Sequence, residues 1–226
     1  MKTLAIRTVT GIAYLFILGF AFFVSWWSLV TVFTIFMLIA IYEYINLAQK
    51  FPAPQNSSQR VIRHQILPLI WIVMPVLLLE YWCVALHATN IMVAIFILLC
   101  MNDTMAYLFG SLFGKHKLCP KISPKKSWEG FFGGLICTLA FSLIFTHIPY
   151  FQNDIVNNQY IWIGFAFVVI IAGTFGDLVE SMVKRFANQK DSGAILPGHG
   201  GILDRIDSML FAVPAGFIYW AVSGVR

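Results

Sequence analysis

The chain has 226 residues, of which 59% are hydrophobic and 11% charged, and its mean hydropathy is +0.80. A soluble domain would be about 45–50% apolar and about 25% charged, so a water-soluble globular fold is excluded and a polytopic membrane protein is expected. The net charge of +5 does not point to nucleic acid, because no basic segment interleaved with aromatics is present; Lys and Arg read instead as markers of cytoplasmic loops.

Hydrocarbon about 30 Å thick takes a helix of about 20 residues, and helices satisfy their own backbone groups in lipid. No charge occurs from Thr8 to Tyr42, a length that suits two tilted spans. The break falls at Ser25 to Ser28, with Trp26 and Trp27 as interfacial anchors. The positively charged start resembles a signal peptide, but no small-residue cleavage site leads into a polar region, so an uncleaved first span is expected. Glu43 closes the second span, either as an acid reaching the interface or as the lining of a polar cavity. Residues 49–64, with Pro52 and Pro54, read as a polar loop.

The third span, 66–84, is expected to kink at Pro68 and Pro75, with Glu80 and His87 facing the opposite aqueous phase. The fourth, 89–109, is interrupted by Asn102, Asp103, Thr104 and Tyr107. Asp103 and Tyr107 share a helix face; an acid at that depth points to function, with helix–helix hydrogen bonding as the plainer alternative. Residues 110–130 form a basic loop with Lys115, Lys117, Lys121, Lys125 and Lys126. It is either an ordinary cytoplasmic loop or a phosphate-facing one that closes onto a helix capped by Ser127, whose first N–H groups favour anions. Gly130, Gly133 and Gly134 permit close helix packing. Spans five, six and seven fall at 131–148, 160–180 and 206–223, the last carrying Pro214.

The expected fold class is therefore all-α: a polytopic integral membrane protein with about seven transmembrane helices. It reads as a single transmembrane catalytic domain over 1–226, with N-terminal spans in 1–64 and the catalytic part in about 89–226. No repeat and no appended soluble domain is expected. A cytoplasmic N-terminus puts fourteen of the 15 Lys and Arg residues on the cytoplasmic side, leaving Arg226 outside. The four cysteines have no metal-ligand or disulfide spacing and read as free thiols.

Charge of both signs gathers in residues 173–207. Asp177, Ser181 and Lys184 form one helical stripe, and Asp204 and Asp207 lie one turn apart. Between them Pro197-Gly198-His199-Gly200-Gly201 suits an anion-binding concavity. Carboxylates, a glycine-rich turn and several cations at one membrane face suit phosphate chemistry with a divalent metal. An ion pathway and a structural salt-bridge network are the alternatives.

The runs Ser181-Met182-Val183-Lys184-Arg185, Lys190-Asp191-Ser192-Gly193 and His199-Gly200-Gly201-Ile202-Leu203-Asp204-Arg205-Ile206-Asp207 resemble the signature of phosphatidate cytidylyltransferases (CDP-diacylglycerol synthases). Asn102-Asp103-Thr104-x-Ala106-Tyr107 and Ser123-Pro124-Lys125-Lys126-Ser127-Trp128-Glu129-Gly130 resemble further motifs of that family. The resemblance implies transfer of the cytidylyl group of CTP to phosphatidate, giving CDP-diacylglycerol and pyrophosphate, in phospholipid biosynthesis at the cell (inner) membrane with the site facing the cytoplasm. It implies Mg²⁺, with room for a second cation, held by Asp177, Asp204 and Asp207. It implies a catalytic set of Asp177, Lys184, Arg185, Asp204 and Asp207. Substrate contacts would come from Ser181, Lys190, Asp191, His199, Gly200, Gly201, Arg205, Asp103, Lys125, Lys126 and Ser127. A phosphomonoester nucleophile is largely dianionic, with a second pKa of about 6, so His199 is expected to shape the turn or donate to phosphate and not to act as a base. The implied partners are CTP, phosphatidate, the bilayer and a second copy in a homodimer. Bacterial members are usually longer by one or two N-terminal spans, which this chain is expected to lack. Another lipid phosphate as acceptor is the near alternative. An ion-coupled transporter is the distant one, weighed against by acids that gather at one face without inverted repeat halves.

Overall fold

The computed structural model describes residues 2–53, 56–152 and 154–224, with side chains from Thr8 onward except at 154 and 155. The side chains of Lys2 and Arg7, and all of Pro54 and Arg226, lie outside the described residues. The long helices are α1 (Lys2–Phe23), α2 (Trp26–Gln49), α3 (Ser57–Val84), α4 (Thr89–Phe113), α5 (Trp128–His147), α6 (Gln159–Phe186) and α7 (Leu203–Val222). Five of them, α2 to α6, are long and apolar enough to cross a membrane, and α1 adds the shorter apolar run Thr8–Phe23. The chain is a helical integral membrane protein.

Local chemistry sets the helix ends. Ser25 caps α2 by accepting from the Ser28 N–H at 3.1 Å, while the Ser25 N–H donates to Ser28 Oγ at 3.0 Å. This reciprocal capping box places the break where the uncharged run predicts it. Trp26 and Trp27 stack beside it, 3.8 Å between ring centroids.

Two expectations are corrected. First, α3 begins at Ser57, inside the segment read as a loop. Asn56 Oδ1 caps it by accepting from the Gln59 N–H at 2.8 Å. Arg63, one helical turn on, donates to the Pro52 carbonyl at 2.7 Å and to those of Phe51 and Ala48, satisfying the open end of α2. The two prolines of α3 each follow a π-helical turn, Ile62–Ile66 and Leu69–Val73. Proline lacks an N–H and crowds the carbonyl four residues back, and a widened turn relieves that conflict.

Second, the basic loop holds a β-hairpin, β1 (Lys117–Cys119) paired antiparallel with β2 (Ser123–Ser127), so the fold is not purely helical. The Ile122 N–H closes its turn on the Cys119 carbonyl at 3.1 Å. A two-stranded ribbon has two free edges and so accommodates Pro124 within β2. Glu80, at the far end of α3, accepts from Thr34 Oγ1 of α2 at 3.0 Å. All four cysteines are free thiols.

The chain divides into two compact units, Met1–Thr89 with Met182–Asp207, and Asn90–Ser181 with Ser208–Arg226. In the first, Phe22 meets Phe33 at 5.5 Å and Tyr44 meets Trp71 edge-on at 5.8 Å, joining α1, α2 and α3. In the second, Trp162 of α6 stacks on Phe165 and meets Phe145 of α5, while its Nε1–H donates to the Ser142 carbonyl at 2.8 Å. Burying that indole is favourable because its polar atom is satisfied.

Glycine lets α5 approach α4. A Cβ on Gly130 would lie 2.6 Å from the Ala106 carbonyl oxygen and 3.0 Å from the Gly110 Cα, both backbone atoms, whereas one on Gly19 would meet nothing within 4 Å. Gly130→Ala is expected to destabilise the protein by about 1–3 kcal/mol through overpacking, read as a lowered unfolding midpoint in detergent. Gly19→Ala should leave that midpoint unchanged or slightly raised.

Candidate active site

Each unit holds a polar cavity. That of the second unit is about 260 Å³, lined by Asn102, Asp103, Ala106 and Tyr107 of α4, by Ser123, Lys125, Lys126 and Ser127 of β2, and by Thr174 and Asp177 of α6. The hairpin carries its lysines to the mouth of an otherwise helical cavity. Ser127 ends β2 and starts α5, accepting from the Gly130 N–H at 3.1 Å as its sequence position predicts. Asn102 is buried and donates to Thr174 Oγ1 at 3.3 Å, tying α4 to α6. Asp103 and Tyr107 both face the cavity.

Lys126 forms an ion pair with Asp177 there, and the two side chains are 26% and 27% exposed. Ser181, one turn on, donates to Asp177 Oδ1 at 3.3 Å. Glu180 lies on the same helix and is fully buried. The sequence reading gave Glu180 no role, although its spacing of three residues from Asp177 is a signal that two carboxylates share a face.

The first unit contains the segment from Met182 to Asp207. Here α6 ends in a left-handed residue, Asn188 (φ 52°), and the Gln189 N–H returns to the Lys184 carbonyl at 2.8 Å. Arg185 is exposed and donates to the Gln189 carbonyl at 3.1 Å. Gly198 (φ 80°) and Gly200 (φ 85°) adopt left-handed backbone that bends the chain into a tight turn, closed by Leu196 N–H to Gly200 carbonyl at 2.9 Å. The N–H groups of His199 and Gly201 are used inside the protein, on the Leu196 carbonyl and on Asp204. The cavity of this turn, about 420 Å³, is lined by Lys190, Asp191, His199, Gly200 and Arg205 among others. His199 Nδ1 lies 2.7 Å from Thr10 Oγ1, and its carbonyl accepts from Arg205 at 2.6 Å.

Asp204 is the hub of the segment. Its carboxylate accepts from Lys184 Nζ at 2.6 Å, from the Ser192 N–H at 3.0 Å and from the Gly201 N–H at 2.8 Å. The Lys184 and Asp204 side chains are only 11% and 7% exposed. Glu43, read from sequence as an interfacial or cavity-lining acid, is neither. It is 2% exposed and accepts from Ser192 Oγ, Ile202 N–H and Leu203 N–H at 3.0, 3.1 and 2.9 Å. The correction has a physical cause: the start of α7 offers N–H groups without helical partners, and a carboxylate from α2 meets them. Asp207 follows one turn after Asp204 on α7.

The two ion pairs differ in what they can do. The Lys126–Asp177 pair is about a quarter exposed, so water screens it more than the Lys184–Asp204 pair and it contributes less. The Lys184–Asp204 pair is buried, and removing one partner strands the other charge.

A partly exposed cation–carboxylate pair in one cavity and a cation-lined glycine turn in another are groups that an anionic ligand could meet. Comparison with known proteins gives the family. The model of the "Cytidylyltransferase family" matches residues 49–223, and the chain belongs to that family. The phosphatidate cytidylyltransferase of Staphylococcus aureus (strain COL) is 50% identical over 119 residues, covering 53% of this chain and 44% of that protein. That of Staphylococcus haemolyticus is 51% identical over 119 residues. That of Haemophilus influenzae is 38% identical over 194 residues, covering 84% of this chain and 64% of that protein. The chain thus spans 44% to 64% of the length of these curated relatives.

Lys184→Met is expected to destabilise the protein by about 3–5 kcal/mol, because it leaves Asp204 buried without its cation. Lys126→Met should change stability by no more than about 1 kcal/mol. Thermal unfolding of both variants in one detergent compares them directly.

Proposed function

We propose that this protein transfers the cytidylyl group of CTP to phosphatidate, forming CDP-diacylglycerol and releasing pyrophosphate. Family membership and the names of the relatives support the reading. The structural observation that carries it is the partly exposed Lys126–Asp177 pair facing a cavity that also holds Lys125 and Asp103.

In this reaction a phosphate oxygen of phosphatidate attacks the α-phosphorus of CTP, and the bond to pyrophosphate breaks. The nucleophile is already anionic near neutral pH, so no general base is assigned. The barrier lies in bringing anions together, and cations lower it by positioning and by offsetting charge. Lys125 and Lys126 take this role in one cavity. Lys190, His199 and Arg205 meet nucleotide phosphate in the other, with Gly200 and Gly201 shaping the turn and Asp191 at its wall. Arg185 and Ser181 are assigned to substrate phosphate on the signature pattern, and Ser127 to the start of α5 beside Lys126.

The donor set fits Mg²⁺. Asp177 and Glu180 present hard oxygen donors one turn apart on α6, which suits an ion bound through one or two carboxylates plus substrate phosphate. Asp207 remains a candidate ligand on the signature pattern. Asp204, whose oxygens already hold Lys184 and two backbone N–H groups, is assigned to shaping the turn. When bound, Mg²⁺ would supply charge neutralisation on the phosphate oxygens.

The same proposal takes α1 and α7 as spans alongside the other five, with the N-terminus and both cavities on the cytoplasmic side of the cell membrane, on the Lys and Arg distribution. A homodimer is carried over from the family resemblance.

Purified protein with CTP labelled at the α-phosphate, phosphatidate and Mg²⁺ should form labelled CDP-diacylglycerol, and a chelator should abolish the product. Asp177→Asn is expected to lower kcat by about 10²–10³-fold, the range for losing a principal electrostatic group. A panel of other lipid phosphates identifies the acceptor. Absence of product with every acceptor, or full activity in Asp177→Asn, would overturn the reading.

A further inference from the structure

Glu43 lies on α2, outside every motif that carries the family resemblance, and 149 residues before Ser192. Its carboxylate nevertheless meets the signature segment at three points, Ser192 Oγ and the Ile202 and Leu203 N–H groups. The last two sit at the start of α7, where unpaired N–H groups and the helix dipole favour an anion. A Cβ on Gly193 would lie 2.8 Å from Glu43 Cδ, and one on Gly201 would overlap the Glu43 carboxylate oxygens. Glycine at both places leaves room for the acid. Asp204 holds the same segment from its other side, through the Ser192 and Gly201 N–H groups. Ser192 is thus gripped twice, by its hydroxyl and by its amide.

The segment held in this way forms the wall of the cavity lined by Lys190, His199 and Arg205. Beyond the bridge between Leu196 and Gly200 it has little regular structure, so side-chain anchors decide its shape. We infer that Glu43 is a positioning residue for this cavity: it fixes residues 192–203 so that Lys190, His199 and Arg205 converge on nucleotide phosphate. The inference rests on the proposed function for the identity of the ligand. Glu43 itself is buried and touches the turn, not the substrate.

Glu43→Gln keeps the side chain's shape but replaces one accepting oxygen with a donor that faces an N–H group. Its KM for CTP should rise about tenfold or more, the scale of one lost charge-assisted hydrogen bond, while KM for phosphatidate stays within about twofold. Ser192→Ala, which loses one of the three bonds, should show a smaller rise of about threefold. A role confined to stability would instead lower the amount of folded protein and the apparent kcat, with KM for CTP unchanged; that result overturns the inference. Should wild-type protein turn over no CTP with any lipid phosphate, the proposed function fails and the anchoring of the turn is read separately. Limited trypsinolysis after Lys190 should then be about tenfold faster in Glu43→Gln, with cleavage after Lys121 of the hairpin unchanged. Equal rates at Lys190 overturn the inference in that case.

Discussion

Ser192 is held by two carboxylates at once, its hydroxyl by Glu43 and its amide by Asp204. The glycine-rich turn that follows depends on this grip. A carboxylate removed from water is stable only where its oxygens are met by donors or cations. Both acids meet that condition with backbone N–H groups of the turn and of the first turn of α7, and Asp204 adds Lys184. The requirement works in both directions. The acids need the N–H groups, and the N–H groups, lacking helical partners, need the acids. Such mutual satisfaction gives a defined shape to a segment that strand and helix ladders do not hold.

The same chemistry serves a different end in the second unit. Lys126 and Asp177 also form a cation–carboxylate pair, but with about a quarter of each side chain exposed. Water reaches both groups and weakens the pair relative to Lys184–Asp204. Burial therefore distinguishes the two pairs. Lys184 and Asp204 are the more buried pair and Lys126 and Asp177 the more exposed one, and the proposed ligand-binding role of Lys125, Lys126 and Asp177 rests on that difference.

The membrane-spanning framework follows a related rule. Where the chain breaks helical pairing, another group takes over: Ser25 and Ser28 between α1 and α2, Arg63 on the last carbonyls of α2, and the π-turns ahead of Pro68 and Pro75. Backbone groups left bare in hydrocarbon would each be costly. Thr34 of α2 and Glu80 of α3 are hydrogen-bonded to each other within the first unit.

Long uncharged runs separated by short polar breaks located the helices, because hydrocarbon imposes both a minimum length and full internal hydrogen bonding. Local rules also made the break at Ser25 to Ser28, the cap at Ser127 and the glycine turn at 198–200 readable, since each depends on residues within a few positions. The signature motifs carried the family. Other features were not legible in this way. Glu43 belongs to an apolar helix in sequence, and only folding brings it to Ser192, Ile202 and Leu203. The tie from Arg63 back to the Ala48 carbonyl at the end of α2 forms only on folding, and the hairpin depends on a strand pairing too short to leave a pattern. Burial of the Lys184–Asp204 pair, against exposure of Lys126–Asp177, is likewise a property of the packed chain. Composition and spacing singled out the groups proposed for phosphate chemistry in a membrane. Tertiary structure alone decided which of them are spent on holding the turn, because the strength of an ionic contact is set by its surroundings and not by the residues that make it.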